Sequence, residues 1–166
     1  MAEPTSLMSV NAASGAYRAS RDMTTESAGA ATEARAYLDR RGLKEDVRDR
    51  FEIGFAPEGW QNLWDHLRGQ GVAEDLILGA GLAKASDRGK APYDVFRNRI
   101  MFPIRDARGR AIAFGGRAMD PRDNAKYLNS PETELFDKGR NLYNHAPARE
   151  AAGKGQPLIV AEGYMD

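Results

Sequence analysis

The sequence predicts an α/β chain of the α+β kind, with helices in front and a hairpin-centred sheet behind. Two observations carry this. Between residues 32 and 80, apolar side chains recur three and four apart, whereas from Arg99 onward they alternate. A third observation is the run Leu158-Ile159-Val160, apolar on both faces as in a covered strand.

The elements follow in order. Residues 1–30 are rich in Ala, Ser and Thr, and the one short helix there, around Val10 to Arg21, has a thin apolar face. That segment is expected to be poorly ordered. A helix near Thr32 to Arg41 puts Ala30, Ala34, Tyr37 and Leu38 on one face and stops at Gly42. Val47 and Phe51 mark a second short helix. Ile53 to Ala56 reads as an extended link ending at Pro57. Trp60, Leu63, Trp64 and Leu67 form a third helical face, closed by Gly69 and Gly71, and Ala73 to Ala80 form another short helix. After a polar stretch with a turn at Asp87 to Gly89, Ile100, Phe102 and Ile104 alternate with other residues. So do Ile112 and Phe114, and Asp106-Ala107-Arg108-Gly109 links the two runs as a turn. This is a β-hairpin with one apolar face inward and many arginines at its ends or on its other face. Lys126 to Ser130 is a further extended piece, Ala146 to Ala152 a helix, and Pro157 to Ala161 a short strand leading into Glu162-Gly163-Tyr164-Met165-Asp166.

Composition excludes several classes of function. The 166 residues suit one domain with a real core, and no run approaches a transmembrane span. No apolar signal region opens the chain, so a cytoplasmic location and no membrane partner are expected. Cysteine is absent, which removes disulfides, thiol nucleophiles and thiolate zinc sites. The imidazoles are His66 and His145. His66 has no second ligand at helical spacing and reads as a surface side chain.

Lys plus Arg is 24 and Asp plus Glu is 24, so net charge points to no partner. Its distribution says more. From Arg97 to Lys126 the cations Arg97, Arg99, Arg105, Arg108, Arg110, Arg117, Arg122 and Lys126 outnumber Asp106, Asp120 and Asp123. Such a stripe is either a solvated strand face or a phosphate-binding surface. Arg97 and Arg99 are its candidates for a basic groove.

Three constellations could carry chemistry. A strand that ends in Glu162 and is followed by Gly163 resembles the carboxyl-end sites of α/β sheets. Were a helix to begin after Gly163, Glu162 and Asp166 would face one region and suit a divalent cation. The alternative is a pair of ordinary exposed carboxylates. Phe114-Gly115-Gly116-Arg117 brings backbone close to a ligand and aims a guanidinium past it, or is simply a bulge. Lys126-Tyr127-Leu128-Asn129-Ser130-Pro131-Glu132-Thr133 mixes a cation, a ring and amides, which suits phosphate and base contacts or an ordinary edge strand.

Taken in order, Arg99-Ile100-Met101-Phe102-Pro103-Ile104-Arg105-Asp106, Phe114-Gly115-Gly116-Arg117, the Lys126 to Thr133 run, Phe136-Asp137-Lys138-Gly139-Arg140 and Glu162-Gly163-Tyr164-Met165-Asp166 resemble the successive signatures of DnaG-type bacterial DNA primases. Upstream, Tyr37 to Leu43 and Ile53 to Trp60 are similar to the opening of the same RNA-polymerase core. The resemblance implies a core N-terminal subdomain at 31–155 and, at 156–166, the first strand of a Toprim domain. It implies synthesis of short RNA primers on single-stranded DNA during replication, in the cytoplasm at the replisome. By the same resemblance Glu162 is the catalytic carboxylate. Glu162 and Asp166 belong to an incomplete site for Mg²⁺ or Mn²⁺, and Arg41, Arg117, Lys126, Asn129, Lys138 and Tyr164 bind template or ribonucleoside triphosphate.

The chain departs from the family pattern. No cysteine-based zinc domain, second acidic motif or helicase-binding C-terminal domain is present, so the chain reads as truncated and inactive by itself. Contact with a replicative helicase would need the missing domain. Ala113 and Asn144 also stand where the family usually has Gly. The rival readings are a single-stranded-DNA-binding fragment without catalysis, a gene remnant, and another Toprim enzyme such as a topoisomerase or nuclease. Against the last stand the hairpin and the Lys126 to Thr133 run.

Overall fold

The structure, a computed structural model, describes residues 5–24 and 28–166. Residues 1–4 and 25–27, part of the segment expected to be poorly ordered, lie outside the described residues. The elements are α1 (Ser6–Arg21), α2 (Gly29–Arg40), α3 (Glu45–Arg50), β1 (Gly54–Ala56), α4 (Asn62–Gly69), α5 (Glu74–Gly79), β2 (Ala83–Lys84), β3 (Tyr93–Asp94), β4 (Arg99–Arg105), β5 (Ala111–Ala118), β6 (Tyr127–Asn129) and α6 (His145–Gly153). The architecture is α+β, as expected.

The hairpin is the centre of the molecule. Strands β4 and β5 pair antiparallel from Arg99↔Ala118 to Arg105↔Ala111, and β1 and β6 flank them in the order β1-β4-β5-β6. A separate ladder joins β2 and β3. One expectation is corrected. The hairpin buries both faces, because helices cover both sides of the sheet. Met101 and Phe114 belong to a core formed with α1, α4 and α5, while Ile100 and Phe102 belong to another formed with α2. Arginines therefore have no free strand face to occupy.

The N-terminal helix is the second correction. Helix α1 is longer than expected and lies against β1 and β5. Val10, Ala13 and Tyr17 are buried, and Tyr17 meets Phe114 edge-on at 5.1 Å. Its apolar face is thin, with Ala13 between Val10 and Tyr17, and its backbone approaches the sheet closely. At Gly54 in β1 a side chain would meet Tyr17 Cβ at 2.6 Å, so glycine there permits direct helix-on-strand contact. Thr5 caps the helix by accepting from Met8 N–H at 3.3 Å. Arg21, buried at the other end, donates to Ile53 O at 2.9 Å, Asp22 at 2.8 Å and Asp49 at 2.6 Å. A buried guanidinium is tolerable because each of these acceptors replaces water.

Smaller differences follow from packing. Helix α2 buries Ala31 rather than Ala30, and Trp60 precedes α4 and is exposed. Asp94 of β3 caps α4, accepting from the N–H groups of Leu63 (2.8 Å) and Trp64 (2.9 Å). Burial raises the Asp94 carboxyl above the usual range, against the pull of those two donors. Asn144 adopts φ 57°, the left-handed conformation for which glycine would be the natural choice and which asparagine tolerates.

The third correction concerns Pro157 to Ala161. It forms no strand: nothing among the described residues pairs with it, and Leu158, Ile159 and Val160 are 63%, 83% and 90% exposed. A β-strand exists by pairing, and apolar character alone does not supply a partner.

Candidate nucleic-acid interface

Arg117 leaves β5 and lies between two rings. Its guanidinium carbon is 4.6 Å from the Tyr37 centroid and 5.9 Å from that of Tyr127. Strand pairing places these groups, since Arg117 is opposite Tyr127 in the β5–β6 ladder, and α2 brings Tyr37 over them. One guanidinium nitrogen donates to Ala118 O at 3.2 Å, while the buried Nε has no partner among the described residues. Stacking of this kind holds a cation flat and leaves its other nitrogens free for an anion. Lys126 stands beside it, exposed, its Nζ 5.8 Å from the Tyr127 ring.

Tyr164 and Asn129 adjoin this group. The Tyr164 hydroxyl donates to Asn129 Oδ1 at 2.6 Å, and its ring stacks on Phe102 at 5.1 Å. The ring edge of Tyr143 closes the cluster at 4.8 Å. Burial raises the Tyr164 hydroxyl, and burial with Tyr164 alongside pushes Tyr143 up to about 12, so both rings stay neutral donors at ordinary pH.

The acidic segment departs from the expected geometry. No helix begins after Gly163. Instead Gly163 to Asp166 form a turn, with Gly163 N–H donating to Asp166 Oδ2 at 2.9 Å. Asp166 Oδ1 also lies 3.9 Å from Arg41. Its carboxylate therefore faces its own turn and Arg41. Glu162 is exposed, and no group of three or more His, Asp or Glu side chains that could hold a metal occurs among the described residues. The carboxylates in place do not by themselves make a divalent-cation site.

A second aromatic–cation group lies around Arg97. Its guanidinium sits 4.1 Å above the Trp60 ring and 5.5 Å from Tyr93, and it donates to Asp94 O at 2.5 Å. Trp60 itself is 63% exposed, an unusual place for so large a ring. Arg97, Trp60 and Arg122 border an open cleft of about 610 Å³ that Glu58, Asp120 and Asp123 also line. Arg99 behaves differently from its neighbour. It is buried and spent internally, donating to Gly116 O at 3.2 Å and to Asp123 at 3.0 Å, so it supports the cleft rather than presenting charge. Arg105 pairs with Glu52, Arg110 with Asp106 and Arg122 with Asp120. Much of the basic stripe is thus locally neutralised.

The structure therefore brings together Arg117, Lys126, Asn129, Tyr164, Arg41 and Asp166. It places Arg97 in a second group. Lys138 is exposed on a turn stabilised by Asp137, which accepts from Gly139 N–H at 2.8 Å. Sequence reasoning finds Tyr127 and misses the other three of the four rings against these arginines, Tyr37, Trp60 and Tyr93. The sequence puts Tyr37 and Trp60 on apolar helix faces, because helical spacing alone cannot separate a core ring from a shelf beneath a cation. No described helix is long and apolar enough to cross a membrane.

Fold and surface together define an α+β domain with stacked cations beside a short acidic segment. A family profile for the DNA primase catalytic core, N-terminal domain, matches residues 20–149. The chain is 49% identical over 136 residues to the DNA primase of Escherichia coli K12, covering 82% of this chain and 23% of that one. It is 51% identical over 131 residues to the DNA primase of Pseudomonas aeruginosa, covering 78% and 19%. Among solved structures, the E. coli primase catalytic core superposes with a TM-score of 0.81 at 43% identity, over 97% of this chain and 49% of that one. A DnaG primase catalytic domain bound to single-stranded DNA superposes with a TM-score of 0.78 at 42% identity, over 96% and 47%. The chain belongs to the DNA primase catalytic-core N-terminal domain family. It spans about a quarter of the length of the E. coli relative.

Proposed function

We infer that this domain holds single-stranded DNA template and nucleotide phosphates for RNA primer synthesis in bacterial replication. The observation that carries this is the pair of stacked arginines, Arg97 on Trp60 and Arg117 on Tyr37. An exposed ring offers a stacking face to any base, and a guanidinium beside it meets the phosphate, which is the chemistry of sequence-tolerant single-strand binding. The solved relative bound to single-stranded DNA supports the reading.

In the reaction, Arg117, Lys126 and Arg41 would neutralise phosphate charge, and Lys138 would extend that surface. Tyr164 and Asn129 would contact the nucleotide, and Glu162 would handle the proton or help hold Mg²⁺ or Mn²⁺. Such a cation would need carboxylates beyond Glu162 and Asp166. A Toprim continuation, a cytoplasmic replisome setting and a helicase contact through a further domain belong to the same proposal.

A salt-dependent titration with single-stranded DNA tests it. Trp60→Ala should cost about 1–3 kcal/mol of stacking. Arg117→Ala with Lys126→Ala should flatten the log–log salt dependence by roughly 0.7 per lost phosphate contact. Unchanged affinity and slope in these variants would reduce the stripe to a solvated face. With template, ribonucleotides and Mg²⁺ the chain alone is expected to make no primers. Synthesis that is lost in Glu162→Gln would overturn that expectation.

A further inference from the structure

Gly115 occupies the middle of β5, where neither a turn nor a positive φ calls for glycine. A glycine in a strand interior costs stability and leaves a gap unless something approaches the backbone there. Something does. A β-carbon at position 115 would overlap the Tyr164 ring at Cζ, Cε2 and the hydroxyl. The register makes the fit specific. Gly115 is opposite Phe102 on one side and Asn129 on the other. Tyr164 stacks on Phe102 with an interplanar angle of 12° and donates to Asn129. Three adjacent strands thus supply a ring, a vacancy and an acceptor to one side chain. The preceding run, Pro157 to Ala161, has no strand partner among the described residues, so apart from the Arg41–Asp166 contact the hold on the acidic segment comes from Tyr164 and the neighbouring Met165, which packs on the same core.

We propose that Gly115, Phe102 and Asn129 form a slot for Tyr164, and that Gly115 is the positioning residue that determines where Glu162 stands relative to Arg117. The slot sits two residues before Arg117 on β5 and receives a side chain two residues after Glu162. It therefore couples the cationic surface to the acidic segment through one ring. This rests on the reading that Glu162 works in the reaction, but the slot itself can be tested without activity.

The test uses the full chain with isotope-labelled tyrosine, followed by NMR and amide hydrogen exchange. In Gly115→Ala the Tyr164 ring should leave Phe102 and lose its ring-current shifts. Protection of residues 163–166 should fall by about tenfold or more, as local opening becomes easier. Adding Tyr164→Ala removes the clash, so the double variant should recover the thermal stability of Tyr164→Ala alone. Should Gly115→Ala not fold, Asn129→Ala and Tyr164→Phe each remove the hydrogen bond with the strand intact, and their effects on protection should be non-additive. Unchanged Tyr164 signals in Gly115→Ala would overturn the slot. Additivity of Asn129→Ala and Tyr164→Phe would overturn it too. If the slot behaves as stated but Glu162→Gln leaves primer synthesis intact in a chimaera that joins this domain to the rest of the E. coli primase, the role of Glu162 fails and the slot stands.

Discussion

The first helix and the run from Pro157 to Ala161 stand at opposite extremes of burial. Helix α1 carries Ala, Ser and Gly over most of its length, yet it buries Val10, Ala13 and Tyr17 completely or nearly so against the sheet. Leu158, Ile159 and Val160 are far more apolar and face solvent. What separates them is the surface each one meets. Helix α1 finds a sheet with Gly54 in its path, and the missing side chain there lets Tyr17 and the helix backbone pack directly on the strand. The later run meets no edge strand and no covering helix among the described residues. Hydrophobicity gives a segment a reason to be covered, and a complementary surface decides whether it is.

The largest expected effect comes from breaking the α1 side of this contrast. Tyr17→Ala should cost about 3–5 kcal/mol in chemical denaturation, because it empties the space against Phe114. Tyr17→Phe sharpens the point. The buried hydroxyl has no hydrogen-bond partner among the described residues, so its removal should leave stability unchanged or raise it by about 1 kcal/mol. A loss of stability in Tyr17→Phe would mean that the hydroxyl is bonded after all.

Next in size is Arg21→Met, which keeps the stem and removes the buried charge. Loss of its hydrogen bonds to Ile53 O, Asp22 and Asp49 should cost about 1–3 kcal/mol, read from the same denaturation curves. On the other side of the contrast, Leu158→Ser with Ile159→Ser should change unfolding free energy by less than about 0.5 kcal/mol, as expected for exposed positions. The same pair should reduce self-association in sedimentation, since the exposed apolar run is what would drive it. Equal sedimentation of both proteins would show that the run is not an association surface.

The smallest effect is in pH. The hydrogen bond from Arg21, aided by its charge, holds the Asp22 carboxyl below the usual carboxylate range. A depressed carboxylate contributes stability above its unfolded pKa, and that contribution disappears as pH falls through the lower folded value. Asp22 is largely exposed, so solvent screens the effect. Arg21→Met should therefore flatten the acid side of the stability profile slightly, below the pKa of a free aspartate. An unchanged acid limb would separate Asp22 from the anchor.

Much was legible in the sequence because it depends on neighbours in the chain. The alternation of Ile100, Phe102 and Ile104 and of Ile112 and Phe114 sets strand periodicity, and Asp106 to Gly109 sets the turn, so the hairpin follows from local rules. Motif order also singles out Arg117, Lys126, Asn129 and Tyr164 as candidates, and the fold places them side by side. What charge counting could not show was which cations are free. Arg99 and Arg97 are two apart, yet one is buried on Asp123 and the other lies on an exposed tryptophan.

The sequence by itself determined the helices α2 to α6, the hairpin, the family and the residue types of the candidate surface, because periodicity, turn chemistry and motif spacing act over a few residues. Only the tertiary structure decided that α1 packs, that Pro157 to Ala161 finds no strand partner among the described residues, that Arg117 rests on Tyr37, and that the gap at Gly115 holds Tyr164. Each of these joins residues far apart in the chain. Their outcome depends on shape and partner at the point of contact, which no local pattern encodes.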